Sequence, residues 1–287
     1  MNKITILHAD AEDPVARIAA TLRDSLDVEI LQVDALLPRL EVRAWPQMLH
    51  LAVEGDQGST SGPGHVINRL FSLSGTGIGR YLKTNRRDER WLHVRLQNYF
   101  AGAMSLAYDQ GVRGVSRSLL PLNAQWLSIQ QALPSIRVPR FSYGFGYQRP
   151  DIAGLDNPMQ KSVWSLFDWK EEHHLPAAEE SRHQFFVERP FGKPLIAYFF
   201  GDSVGRSDQP GGAGTADDAE LQRICLAARK AFRAEAGELL LYQQTQGLVF
   251  HAFSPYMRSA QVLPQFELDA IAWLQALSSA RGSVLAC

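Results

Sequence analysis

The sequence predicts an α/β protein: an N-terminal parallel α/β domain followed by two α+β subdomains. Three observations predict it. Residues 4–34 run strand, helix, strand; strand-like segments return near 184–202; and residues 218–277 run helix, strand, turn, strand, helix.

The apolar run 4-ITILHA-9 reads as a strand. After the acidic turn that follows it, Val15, Ile18, Ala19 and Leu22 fall on one helical face, and 28-VEILQVD-34 reads as a second strand. Strand, helix and strand at this spacing form a βαβ unit, which requires a parallel pair and a right-handed crossover. The polar stretch 54-EGDQGSTSGPGH-65 is too rich in glycine and serine to order at low entropic cost and is expected to be a loop. Beyond it, 66-VINRLFSLS-74 reads as a strand, 89–108 as a helix and 112-VRGVSRS-118 as a short strand.

From residue 120 the texture changes. A helix is expected near 125-QWLSIQQAL-133, then a loop over 142–158, whose glycines and prolines oppose regular structure. Strands are expected at 162-SVWSLFDW-169, 184-QFFVE-188 and 194-PLIAYFFGD-202, the last two pairing with each other. The aromatics Trp164, Phe167, Trp169, Phe185, Phe186, Tyr198, Phe199 and Phe200 would form the core of that sheet. After the glycine-rich segment 203–217, Thr215 and Asp218 have the spacing of a capping box. The helix they open has Leu221, Ile224, Cys225, Ala228 and Phe232 on its apolar face, with Gly237 as its terminating glycine. Residues 238–253 read as a hairpin turning at Gln243 to Gly247, and 264-PQFELDAIAWLQAL-277 as a closing amphipathic helix. The expected divisions are 1–120, 121–202 and 203–287.

Twenty-nine lysines and arginines against 30 acids, in a chain of 287 residues, give no overall field that would draw nucleic acid or an anionic membrane. Two cysteines, Cys225 and Cys287, supply neither a disulfide framework nor a thiolate metal site, which points to the cytoplasm. No apolar stretch approaches the roughly 20 residues of a membrane span.

The segments 136-IRVP-139, 184-QFFVERPFGKPLIAYFFGD-202 and 237-GELLLYQQTQGLVFHAFSP-255 resemble three stations of the ATP-grasp superfamily, in particular the RimK-like and microviridin-type peptide ligases. These are the "GIPVP" step, the strands flanking the adenine pocket, and the magnesium-binding hairpin. The resemblance implies an ATP-grasp-like architecture. It also implies an activity, the conversion of a carboxylate to an acyl phosphate by ATP with two magnesium ions bridging the phosphates.

Magnesium takes oxygen ligands in near-octahedral geometry. The resemblance places Leu240 at the family's hairpin aspartate, His251 at its glutamate and Phe253 at its asparagine, and Ile196 at an arginine facing the phosphates. The oxygen ligands and one cation are therefore replaced together. Lys161 is the candidate for the lysine that contacts the α-phosphate, with a solvated loop lysine as the alternative reading.

These replacements predict a catalytically degenerate ATP-grasp-like protein that binds a precursor peptide or an active ligase partner, with no resident cofactor. One alternative is a working carboxylate-amine ligase using ATP and magnesium through Glu188 or Glu238; another is a metal or small-molecule binding module built on the cluster from His173 to His183. Arg86, Arg87 and Arg90, in the basic run Lys83 to Arg95, are candidates for binding an acidic peptide, although Asp88 and Glu89 interrupt the run as on a solvated helix start. The cluster Glu171, Glu172, His173, His174, Glu179, Glu180 and His183 has metal-ligand donor types without HExxH spacing and reads first as a charged surface. The segment 75-GTGIGR-80 ends in arginine where a dinucleotide loop has glycine, so it reads as a plain loop. No GxSxG elbow is present.

Overall fold

The computed structural model describes residues 3–8, 12–32, 40–45, 48–53, 65–69, 120–145, 150–169, 183–208 and 217–279. The chain forms two compact units: Met1–Leu119 with Arg233–Ala236 and Pro255–Cys287, and Leu120–Phe232 with Gly237–Ser254.

In the first unit β1 (Ile4–His8) pairs in parallel with β2 (Val28–Gln32) through α1 (Pro14–Thr21), as the βαβ pattern predicts. Asp13 caps α1, its carboxylate accepting from the Ala16 N–H at 3.0 Å, and proline occupies the first turn, where a missing N–H costs nothing. A hairpin that the sequence did not disclose, β3 (Leu40–Trp45) and β4 (Met48–Val53), precedes β5 (His65–Arg69). The latter pairs with the other edge of β1, giving the parallel order β2-β1-β5. The Arg69 guanidinium is buried against Asp13 at 2.9 Å and donates to the Pro255 carbonyl at 2.8 Å. These bonds tie the end of β5 to the helix cap and to the segment that follows Ser254.

The second unit opens with α2 (Leu122–Ala132) and holds two sheets. In the first, β6 (Phe141–Phe145) and β7 (Pro158–Gln160) flank β8 (His183–Glu188), all antiparallel. The loop expected over 142–158 therefore begins as strand. Its register against β8 places Phe141 and Tyr143 beside Phe185, and that apolar contact outweighs the local cost of Gly144. Conversely, 162–169 forms turns, not a strand, and Trp164 points outward with 58% exposure.

The second sheet has the order β10-β9-β11-β12, from β9 (Lys193–Phe200), β10 (Ser203–Arg206), β11 (Ala236–Gln244) and β12 (Gly247–Ser254). The expected β8–β9 pairing does not form: β8 pairs with β6 and β7, and β9 lies between β10 and β11. Between them α3 (Asp218–Phe232) buries Leu221, Ile224, Cys225, Ala228 and Phe232 as predicted. Its cap is Asp217, whose carboxylate accepts from the Ala219 N–H at 3.0 Å; Thr215 lies outside the described residues. Arg233, at φ 49°, takes the left-handed position after the helix, while Gly237 belongs to β11. A Cβ at Gly237 would stand 2.2 Å from the Phe253 ring, so packing, and not helix termination, calls for glycine there. Gly247, at φ 108°, closes the expected hairpin turn.

In the first unit, α4 (Phe266–Ser279) buries Phe266, Ala270, Trp273 and Leu274 and packs on α1 and β1. The expectations for the helix at 89–108, the strand at 112–118, the segment 75–80, the basic run with Arg86, Arg87 and Arg90, and the cluster from Glu171 to Glu180 lie outside the described residues.

Candidate functional site

The two faces of the β11–β12 hairpin carry different chemistry, and a β-bulge divides them. Leu240 pairs with Ala252 and Leu241 with Phe250, so His251 is the extra residue on β12. A bulge interrupts alternation and re-aims the side chains around it. One face thus carries Leu239, Leu241, Phe250 and Phe253. There Phe253 stacks on Phe232 of α3 at 4.5 Å between centroids, with Phe250 on Phe232 at 6.0 Å and Phe199 on Phe253 at 6.2 Å. The other face carries Glu238, Leu240, Tyr242 and His251. By strand alternation from Phe199, Ile196 of β9 shares it.

The four positions singled out by resemblance are therefore not one cluster. Ile196, Leu240 and His251 share a face, and Phe253 is turned into the opposite aromatic stack. The alternation-breaking residue was not legible from the segment GLVFHAFSP, because a bulge has no short sequence signature here.

The imidazole of His251 is 2% exposed, with Tyr242 at 4.4 Å and Trp169 edge-on at 4.7 Å. Burial, reinforced by the positive charge of Lys161, pushes its pKa down to about 3, so the ring is neutral at pH 7. Its Nδ1 is buried with no hydrogen-bond partner among the described residues. Burial likewise raises the Tyr242 phenol.

Lys161 is 1% exposed, which overturns the solvated reading. The cause is its position: its N–H bonds to the Phe185 carbonyl at 3.0 Å, continuing the β7–β8 ladder by one step and directing the side chain to the apolar face with Met159, Phe185 and Val187. Its ammonium donates to the Asp168 carbonyl and lies 4.4 Å from the centre of the Trp169 ring. Burial pulls its pKa down to about 8, with Asp168 opposing in part.

Glu188 lies three register steps from Lys161 and so on the opposite face of β8. It accepts from the Asp156 N–H at 3.0 Å and pairs with the Arg140 side chain. Burial pushes its pKa up, but the hydrogen bonds from Asp156 and Arg140, with the arginine's charge, outweigh that and hold it below the usual carboxylate value. The two residues named as nucleotide-binding candidates are thus separated. Glu238 is 2% exposed and opposes Ser254 at the far end of the hairpin. His183 is the first residue of β8.

Helix α2 fixes this arrangement by completing the outer edge of β12. The Gln125 side-chain amide accepts from the Phe253 N–H at 2.7 Å and donates to the Phe253 carbonyl at 3.1 Å, standing in for a neighbouring strand. The Trp126 indole donates to the His251 carbonyl at 2.9 Å, and the Phe250 N–H reaches the Arg137 carbonyl at 2.9 Å. The ring of Trp126 also packs on Phe141, Phe185 and Trp169. One indole thereby joins the two sheets of the second unit around Lys161, Trp169 and His251.

Ile196, Leu240 and His251 offer one imidazole and no oxygen. With Glu238 as the one carboxylate on the hairpin's face, this donor set does not fit a pair of magnesium ions bridging phosphates.

The fold is ATP-grasp-like: solved ATP-grasp ligases match nearly the whole chain. The ligase PsnB, complexed with a minimal precursor, Mg and ADP, superposes with a TM-score of 0.65 at 14% identity, covering 96% of this chain and 98% of its own. The macrocyclase MdnC bound with precursor peptide MdnA, from Microcystis aeruginosa, gives 0.55 at 12% identity over 95% and 99% of the two chains. A RimK domain ATP-grasp protein from Sphaerobacter thermophilus gives 0.52 at 15% identity over 94% and 98%. No family model and no curated protein matches the sequence. Among the described residues, no helix is long and apolar enough to cross a membrane.

Proposed function

We propose that this chain is a catalytically silent ATP-grasp-like protein that uses the scaffold to bind a peptide or a ligase partner in a peptide-modifying pathway of the cytoplasm. The observation that carries the reading is His251, a neutral imidazole enclosed by Trp169 and Tyr242 on the hairpin face shared with Ile196 and Leu240. A ligase needs negative charge there to hold metal ions; an aromatic enclosure supplies packing instead. The peptide context is supported by neighbours of similar fold that were solved with precursor peptides. The basic residues Arg86, Arg87 and Arg90 are the proposed contacts for an acidic peptide, and their reversal to glutamate should weaken its capture. Titration calorimetry with ATP and magnesium tests the central claim: no magnesium-dependent binding is expected, and tight binding of the pair would sink it.

A second reading is favoured by one observation. Glu238 is a buried carboxylate on the same face as Leu240, and it would be the first ligand of an atypical ligase site. ADP release that depends on a peptide and disappears in Glu238→Gln would establish it.

A further inference from the structure

We propose that the outer face of α3, formed by Arg223, Leu226 and Lys230, docks an acidic amphipathic helix of a partner protein, with carboxylates on the two cations and an apolar side chain on the leucine. The inference rests on the reading above that the chain serves as a binding component, and it gives that partner a surface away from the β11–β12 hairpin.

Helix α3 turns Leu221, Ile224, Cys225, Ala228 and Phe232 to the interior. Arg223, Leu226 and Lys230 follow one another at a spacing of three and then four residues, so they line a single stripe on the opposite side, and all three are exposed. The chain as a whole balances 29 basic residues against 30 acidic ones, yet this stripe carries one sign only. Both acids of the helix are engaged elsewhere. Asp218 pairs with Arg206 at 2.9 Å, and Glu220 accepts from the Leu248 N–H at 3.3 Å. Among the described residues no carboxylate lies within ion-pair distance of Arg223 or Lys230, and Arg223 makes only a long bond, 3.4 Å, to the Ala219 carbonyl one turn back. Other exposed cations find acids in their own unit, as Lys3 does with Glu29, Arg17 with Glu12 and Arg140 with Asp156.

The helix dipole favours cations in a last turn, which is reason enough for Arg229 and Lys230 to stand where they do. It gives no reason for Arg223, in the second turn, or for the leucine between the charges. Leu226 is 61% exposed at the centre of the stripe. A single exposed leucine is ordinary, but α2, which packs on α3, exposes a second one, Leu127, at 55%. No charged residue occurs in α2, so the neighbouring helix offers apolar surface and no acid to neutralise the stripe.

These features select the occupant. Exposed ion pairs are individually weak and screened by salt, so two cations alone would hold little. A leucine between them adds apolar burial, and the stripe then reads as one side of a helix-on-helix contact, in which the partner places its apolar residue between acids at the same spacing. The charges fix partner choice and speed encounter, while the leucine holds the complex.

The test follows the anisotropy of a fluorescein-labelled synthetic helical peptide, with glutamates flanking leucines on one face, during titration with the full chain at low and at physiological salt. Saturable binding that weakens with salt is expected. The doubly reversed variant Arg223→Glu with Lys230→Glu should lose about tenfold or more in affinity and should gain affinity for the same peptide carrying lysines in place of glutamates. Leu226→Ser should weaken binding at both salt concentrations alike. All three positions are exposed, so the variants are expected to fold, and circular dichroism checks that they do. Absence of binding, or binding that the double variant leaves unchanged, overturns the proposal. Equal affinity for anionic lipid vesicles or duplex DNA, or self-association of the chain that the double variant abolishes, overturns the acidic helix as occupant. Turnover of ATP with magnesium would instead defeat the reading of catalytic silence and leave the docking result standing, so the two failures are distinguishable.

Discussion

The two faces of the β11–β12 hairpin solve the problem of burial in opposite ways. The face toward α3 is a closed aromatic stack, in which Phe232, Phe250 and Phe253 lie at 4.5 to 6.0 Å with no polar atom among their side chains. The face toward Trp169 buries a lysine and a histidine, and the histidine's Nδ1 has no hydrogen-bond partner among the described residues. Side chains of similar burial thus serve stability on one side and cost it on the other. The comparison breaks if the second face proves as valuable to stability as the first.

The largest expected effect is on the stacked face. Phe253→Ala removes a ring that contacts Phe232 and Phe199 and should cost about 3–5 kcal/mol, read as a lowered denaturation midpoint. Gly237→Ala tests the same contact from the other direction: its Cβ would sit 2.2 Å from the Phe253 ring, and overpacking should cost roughly 1–3 kcal/mol. A neutral result for either would show that the stack is loose. Next comes the edge that holds the bulge in place. Gln125→Leu leaves the Phe253 N–H and carbonyl without their partner and should cost about 2–3 kcal/mol in the same denaturation experiment.

How much of this was legible in the sequence follows the same division. Local patterns gave the βαβ opening, α3 with its buried face and the hairpin with Gly247, because each follows from periodicity or a required φ. What failed depended on partners distant in the chain. Gly144 sits in a strand because Phe185 packs beside its neighbours, Gly237 is fixed by Phe253, and β8 chose β6 over β9. Of the site, Lys161 and His251 were visible as residue types, but their proximity was not, since Trp169 and Trp126 bring them together from opposite sheets. The bulge that separates Phe253 from His251 was invisible because a shift by one residue leaves no mark on composition.

On the polar face the predicted signs reverse. Lys161→Met should stabilise by about 1–2 kcal/mol near pH 7, because it removes a desolvated charge with few partners. The pH dependence is diagnostic. Lys161 titrates near 8 when folded against an ordinary 10.5, so the unfolded chain holds more protons between those values, and the penalty is full below pH 8 and fades as pH rises toward 10.5. The advantage of the methionine variant should shrink over that window. His251 behaves likewise at lower pH: with a folded pKa of about 3 against an ordinary 6.5, its contribution is intact above 6.5 and is lost as pH falls toward 3. His251→Leu should therefore flatten the acid limb of a stability-versus-pH curve by roughly 1–2 kcal/mol between pH 6 and 4.

The smallest effect sharpens the contrast most. Glu188 lies on the opposite side of β8 from Lys161, yet it is fully engaged by the Asp156 N–H and by Arg140. Its carboxyl is held below the ordinary value, so its contribution is present above pH 4.5 and is lost as pH falls through the lowered pKa. Because the Arg140 side chain is open to solvent, screening keeps the pair weak, and Glu188→Gln should cost less than about 1 kcal/mol at pH 7. A small loss here beside a gain in Lys161→Met would mean that the sheet tolerates charge wherever partners exist. The lysine's cost would then come from its burial, and a gain from both substitutions would reduce Lys161 to one more poorly placed charge.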